Sequence, residues 1–213
     1  ADQLSNMGME AIHPRAAKGL RQQGIPLRIV NTFEPEHPGT VIDENWTPEE
    51  ARVEIVTGLE NAFEVEIFDQ DMVGIPGSGE IALTAFRRFK LPLVSWSMNA
   101  NTMSFYVSAP MKQIRRVIEN IQKHQPGADI QTRKVDIVSA IGANLRGKNL
   151  LGDAISAIES SELELLASHV TGRGVDIQFA FPDGSYNQAV EILHKALIEN
   201  ADCKLVEAKR SAA

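Results

Sequence analysis

The chain of 213 residues has a single cysteine, Cys203, so no disulfide can form within it, and a reducing compartment, the cytoplasm, is expected. One thiol also provides no thiolate cluster, and the five histidines, at 13, 37, 124, 169 and 194, lack metal-ligand spacing, so no metal site is expected. No apolar run is long enough to cross a bilayer as a helix. Residues 1–6 carry neither a basic stretch nor an apolar core, so no secretory leader is legible. Positive charge is in deficit as well. With 21 Lys and Arg against 28 Asp and Glu, the net charge of −7 argues against nucleic acid or an anionic membrane as partner.

What is present is enough apolar material, 43% of residues, to bury one large core or two small ones without covalent staples. The chain opens without Met, in what reads as a helix, and is expected to be a fragment. Gly24 and Pro26 stop that helix, residues 25–30 read as a strand, and the Pro- and Gly-bearing stretch 31–40 reads as a loop before a short strand at Val41 and Ile42. Residues 43–50, acidic and holding Pro48, are the expected linker.

Beyond it one pattern runs twice. Phe63, Val65 and Ile67 alternate with acids as a half-buried strand does, and a Gly-rich turn at 74–79 leads into a helix with Ala82, Ala85, Phe86 and Phe89 inward. Two alternating strands follow, Val94-Trp96-Met98 and Met103-Phe105-Val107. Pro110 then opens a helix at its first position, with Ile114, Val117 and Ile121 inward. The second pass has a strand at Val135, Ile137 and Ile141, a turn at 142–147, and a helix with Leu151, Ile155 and Ile158. Strands at 163–170 and 175–181 and a helix through Ala189, Leu193 and Leu197 complete it. Two runs of strand, helix, strand, strand, helix predict an α+β protein of two ferredoxin-like units, a fold that leaves one sheet face in need of cover.

The turn at 74–79 follows a strand and opens a helix, so free backbone amides and the positive helix end face one space, suited to a carboxylate. The other reading is a plain glycine turn. Residues 142–149 resemble a phosphate loop, with Lys148 in place but Asn149 where a magnesium-binding hydroxyl belongs. A nucleotide-binding domain is therefore a minor alternative. Arg87-Arg88-Lys90 and Arg115-Arg116 read as solvated surface charge that offsets helix dipoles.

Three segments carry a family signature: Ala11-Ile12-His13-Pro14-Arg15-Ala16, then Gly24-Ile25-Pro26-Leu27-Arg28-Ile29-Val30-Asn31-Thr32-Phe33, then Pro35-Glu36-His37-Pro38-Gly39-Thr40. Together they resemble the end of the aspartokinase catalytic domain, and the two later units resemble the paired ACT domains that follow it. The resemblance implies residues 1–44 as the end of an amino-acid-kinase domain. It implies 61–129 as a first ACT unit inserted into a second, formed by 45–60 and 130–213. The complete enzyme would transfer phosphate from ATP, with Mg, to the β-carboxylate of aspartate.

The family's Lys-Phe-Gly-Gly-Thr-Ser element occurs nowhere here, so the chain alone is expected to hold no catalytic residue, to need no cofactor and to have no kinase activity. The resemblance further implies an amino-acid effector, lysine, threonine or methionine, and a homodimer through the ACT units. It sets Met72, Ile75, Gly77, Ser78, Gly79, Val94, Asn99 and Asn101 around the effector. Val94 stands where the family commonly has aspartate, which removes a partner for a cation. A ligand-free assembly platform is the alternative.

Overall fold

The computed structural model describes residues 14–43, 51–145 and 149–200. His13, most of the expected linker and residues 146–148 lie outside them. The described part opens with helix α1 (Pro14–Gln22) and an antiparallel hairpin of β1 (Leu27–Ile29) and β2 (Thr40–Ile42). Arg28 Nε donates to Pro38 O at 2.8 Å, and Gly39 N donates to His37 Nδ1 at 3.0 Å, closing the loop between the strands. The apolar side chains here are largely uncovered, with Phe33 93% exposed.

From residue 51 onward, contacts divide the chain into two compact units. The inserted unit takes Leu59–Asp136 with Pro182–Gly184, and the outer unit takes the described residues before Leu59, those between 137 and 181, and 185–200. Two long strands run through both: β3 (Arg52–Phe68) and β6 (Asp129–Ala143). The alternation of Phe63, Val65 and Ile67 predicts a strand there, and the structure extends it back to Arg52 as one strand of 17 residues. Within it, Asn61 takes φ +55 and its amide donates to Asp136 Oδ1 at 3.1 Å.

In the inserted unit, β3 is followed by helix α2 (Glu80–Arg88), strands β4 (Leu93–Asn99) and β5 (Thr102–Val107), helix α3 (Met111–His124) and β6. The strand order is β4-β5-β3-β6. Numbered within the unit this is 2-3-1-4, the ferredoxin-like order. Val65, Ile67, Met103 and Phe105 of the sheet meet Ala82, Ala85 and Phe86 of α2 and Ile114, Val117 and Ile121 of α3 in one core. Phe86 lies against Phe105 with ring centroids 4.7 Å apart, and burying such a ring stabilises by about 2–3 kcal/mol. Pro110 keeps an extended backbone (φ −60°, ψ 138°) and caps α3 rather than opening it. Its missing N–H costs nothing there, because the first helical amides have no acceptor in the helix.

The outer unit has β6, helix α4 (Leu150–Ser160), β7 (Ala167–Val170), β8 (Asp176–Pro182) and helix α5 (Tyr186–His194), which continues as a π-turn over Lys195–Glu199. Its strand order, β3-β6-β8-β7, read from the other edge is again 2-3-1-4, but the fourth strand, β3, comes first in the sequence. The strand expected at 163–170 begins only at Ala167, four residues after the turn at Glu162, where φ is +60°. Leu163 and Leu165 still pack on the core of Val138, Ala140, Ile158, Phe179 and Leu193. Both units are thus ferredoxin-like, one nested in the other.

Candidate functional site

The site is built where β3 ends. Asp69 Oδ1 accepts from Asp71 N at 2.9 Å, bending the chain into a short 3-10 turn, Gln70–Met72. Successive reverse turns follow. Ile75 N donates to Met72 O, Ser78 N to Ile75 O and Glu80 N to Gly77 O, at 3.2, 3.3 and 2.9 Å. Two of these bends require positive φ, at Gly74 (+73°) and Gly77 (+81°), and each falls on glycine, which alone adopts it without strain. Gly79 has a different part: a Cβ there would sit 3.2 Å from Met103 Sδ, so its hydrogen lets the turn close onto the sheet.

This turn, the outer face of α2 and the edge strand β4 enclose an open groove of about 480 Å³. Ile75, Leu83, Trp96 and Met98 give it apolar walls, and Glu80, Thr84 and Arg87 stand along its length on α2. Trp96 is held by stacking on Phe105, centroids 6.0 Å apart and planes 13° apart, while 43% of its surface stays open. At the α2 end, Ser78 Oγ is buried without a partner, and the first helical amides have no acceptor within the helix. A molecule with a carboxylate at one end and an apolar body matches these surfaces.

Of the residues expected at the site, Ile75, Gly77, Ser78 and Gly79 line the groove, and Met72, Val94, Asn99 and Asn101 do not. Met72 is 3% exposed and belongs to the core. Val94 is the extra residue of a β-bulge, since Leu93 pairs with Val107 and Ser95 with Tyr106. The bulge resets the alternation, so that Trp96 and Met98, not Val94, point into the groove. Asn99 and Asn101 sit at the β4–β5 turn, where their side-chain oxygens accept from Ala100 N and from Thr102 Oγ1. Glu80, Thr84 and Arg87 were missed, although the helical period from Gly79 already places 80, 83, 84 and 87 on one face.

A second polar group lies on the opposite face of this sheet. Glu64 is 3% exposed; Tyr106 Oη donates to its Oε1 at 3.0 Å, and Arg133 Nε bonds its Oε2. Burial first, and then the Glu64 carboxylate, push the Tyr106 hydroxyl pKa well above its usual range. The hydrogen bond that Arg133 donates to Glu64 likewise raises the pKa of Arg133. The neighbouring cavity, lined by Glu64, Glu66, Gln131, Thr132 and Arg133, is only about 130 Å³. The carboxylate is already satisfied from two sides, which makes the group a strand pin.

At the loop expected to resemble a phosphate site, Gly142 ends up inside β6. Its amide donates to Val175 O at 2.9 Å, and a Cβ would lie 2.0 Å from Arg52 O, so that amide is not free to cradle a phosphate. Among the described residues there is no cluster of His, Cys, Asp or Glu that could hold a metal ion, and no helix long and apolar enough to cross a membrane.

No family model matches the chain. The aspartate kinase Ask_Ect of Stutzerimonas stutzeri is 41% identical over 199 residues, covering 93% of this chain and 42% of that protein. The bifunctional aspartokinase/homoserine dehydrogenase of Haemophilus influenzae is 25% identical over 209 residues, covering 94% of this chain and 26% of that protein. The chain spans less than half the length of these two relatives. Among solved structures, the aspartate kinase of Clostridium acetobutylicum matches with a TM-score of 0.77 at 19% identity, over 92% of this chain and 46% of its own. The regulatory subunit of aspartate kinase from Thermus flavus matches at 0.59 and 15% identity, over 68% of this chain and 98% of its own. Aspartokinase III of E. coli in complex with lysine and aspartate matches at 0.69 and 13% identity, over 90% and 43%. Aspartokinase homologues therefore cover this chain, and its fold is that of their regulatory ACT-type domains.

Proposed function

We infer that this chain is the ACT regulatory region of an aspartokinase, and we propose that it binds a free amino acid in the groove beside α2. The complete protein would use ATP and Mg to phosphorylate the β-carboxylate of aspartate, at the head of the route to lysine, threonine and methionine in the cytoplasm. The chain alone would need no cofactor and would not catalyse that step. The exposed apolar residues of the first hairpin, Phe33 above all, suit a segment that packs on such a catalytic domain.

The observation that carries the effector reading is the convergence of the 74–79 turn, the α2 N-terminus and apolar walls on one groove. The carboxylate would sit against the helix amides and Ser78, and the side chain against Leu83, Trp96 and Met98. Those walls favour methionine among the three end products, since only Glu80 offers an anion for a lysine ammonium. Binding would favour one of two arrangements of a homodimer and so switch the kinase. Calorimetric titration with lysine, threonine and methionine, followed by Trp96 fluorescence, checks this. Saturable binding of one of them, weakened about tenfold or more by Trp96→Ala, is expected. Heat from none of the three leaves the ligand-free assembly platform, which the exposed Trp96 and Met98 on edge strand β4 favour as a second reading.

A further inference from the structure

In sequence, Arg87 is one of a basic group with Arg88 and Lys90, and the helix dipole accounts for it. The fold separates the three. Arg87 and Arg88 both stand in the last turn of α2, where either serves the dipole equally, and Lys90 lies beyond it. Of the three, Arg87 alone lines the groove. It follows Glu80, Leu83 and Thr84 at helical spacing, so the four form one stripe facing that space. Among the described residues, neither the Arg87 guanidinium nor the Glu80 carboxylate has a hydrogen-bond or ion-pair partner.

The order of groups along the groove follows from topology. Strands β3 and β4 both pair antiparallel with β5, so they are parallel to each other, and α2 between them runs the opposite way. Met98 therefore lies at the amide end of the groove, and a Cβ on Gly79 would sit 3.9 Å from its Sδ. Trp96, two residues back along β4, and Leu83, one turn along α2, form the middle, and Arg87 closes the far end. Read from the amide end, the groove presents a positive helix terminus with the unpartnered Ser78 Oγ, then the Glu80 carboxylate, an apolar middle and a guanidinium.

An amino acid brings a carboxylate and an ammonium at one end, which match the helix terminus and Glu80. Its side chain crosses the apolar middle, so only its far end remains to be matched. Lysine would set an ammonium against the guanidinium, and methionine would leave the guanidinium unpaired. A second carboxylate completes the series, because arginine holds a carboxylate through two parallel hydrogen bonds. Gly79 and Arg87 are about 12 Å apart along the helix axis, and helical side chains lean toward the N-terminus, which leaves a gap suited to a long side chain.

We propose that the groove takes an acidic amino acid with a long side chain, whose second carboxylate is held by Arg87, and that Arg87 is the residue that rejects lysine. This rests on the effector reading above and narrows its ligand from an amino acid with an apolar body to one that also has an anionic end.

Calorimetric titration of the 213-residue chain with L-2-aminoadipate, L-norleucine and L-lysine tests it, since the three share one carbon chain and differ in the charge of its end. Circular-dichroism melts show that each variant is folded. Aminoadipate is expected to bind about tenfold more tightly than norleucine, and lysine more weakly than either. Arg87→Met is expected to remove that advantage while norleucine binds as before, and Arg88→Met, an equal loss to the dipole, is expected to keep it. Arg87→Glu is expected to gain affinity for lysine, a result that no folding defect imitates. Equal affinity for aminoadipate and norleucine, or an advantage lost equally in Arg87→Met and Arg88→Met, overturns this inference and leaves an amino-acid site standing. So does aminoadipate binding that Trp96→Ala leaves unchanged, which would place it outside the groove. A folded wild type that binds none of the three probes and no methionine overturns the effector reading itself, and this inference with it.

Discussion

At the scale of single residues, glycine serves two different needs here. At Gly77 the need is an angle: φ is +81°, and an added Cβ meets nothing within 4 Å. At Gly58 the need is space: a Cβ would lie 1.8 Å from Ile137 O, where β3 and β6 run together. Gly77→Ala is expected to cost roughly 1 kcal/mol, the left-handed penalty, and to lower Tm by about 2–4 °C. Gly58→Ala is expected to cost about 3 kcal/mol or more, since strand backbones must separate to admit the methyl. Denaturant titration of both variants checks the ranking, and equal losses would sink it. Neither need can be read from the letter G in a sequence, because an angle and a close approach leave the same residue.

The elements divide into those that patterning resolves and those that depend on partners distant in sequence. Helices α2, α3 and α4 were legible because their apolar stripes keep helical period against one core. The parity of β4 was not, since the bulge at Val94 is defined by the register of β5 and leaves no mark in β4 itself. For this reason half the groove was legible from its turn, while its far wall was assigned to Val94 and the asparagines instead of Trp96 and Met98. Glu64 was equally hidden. It alternates with Val65 as an exposed strand acid would, yet Tyr106 of β5 and Arg133 of β6 bury and bond it, tying three strands.

That pin predicts a pH dependence. A tyrosine whose pKa is raised on folding holds its proton more tightly in the folded chain. Its stabilisation is complete below about pH 10, the unfolded value, and is lost as pH rises above it toward the higher folded value. Urea unfolding at a series of alkaline pH values is expected to show a steeper loss for wild type than for Tyr106→Phe. Parallel curves would mean that Tyr106 contributes no such linkage.

For the whole molecule, nesting sets the order of assembly. The four strands of the inserted unit are contiguous in the chain between residues 59 and 136, whereas the outer unit must join 52–58 to strands that begin at 137. On the ribosome, the inserted unit has all its helices and strands as soon as β6 emerges, while the outer unit still lacks α4, β7, β8 and α5. Loop-closure entropy points the same way: once the inserted unit has folded, its two ends already hold β3 against β6, and the outer unit needs only short-range closures to finish. Pulse-labelled hydrogen exchange is expected to protect Val65 and Phe105 before Phe179 and Leu193, and the reverse order would refute this. The outer unit is thus templated by its own insertion, and a ligand that steadies the groove during synthesis would act as a folding aid before it could act as a signal.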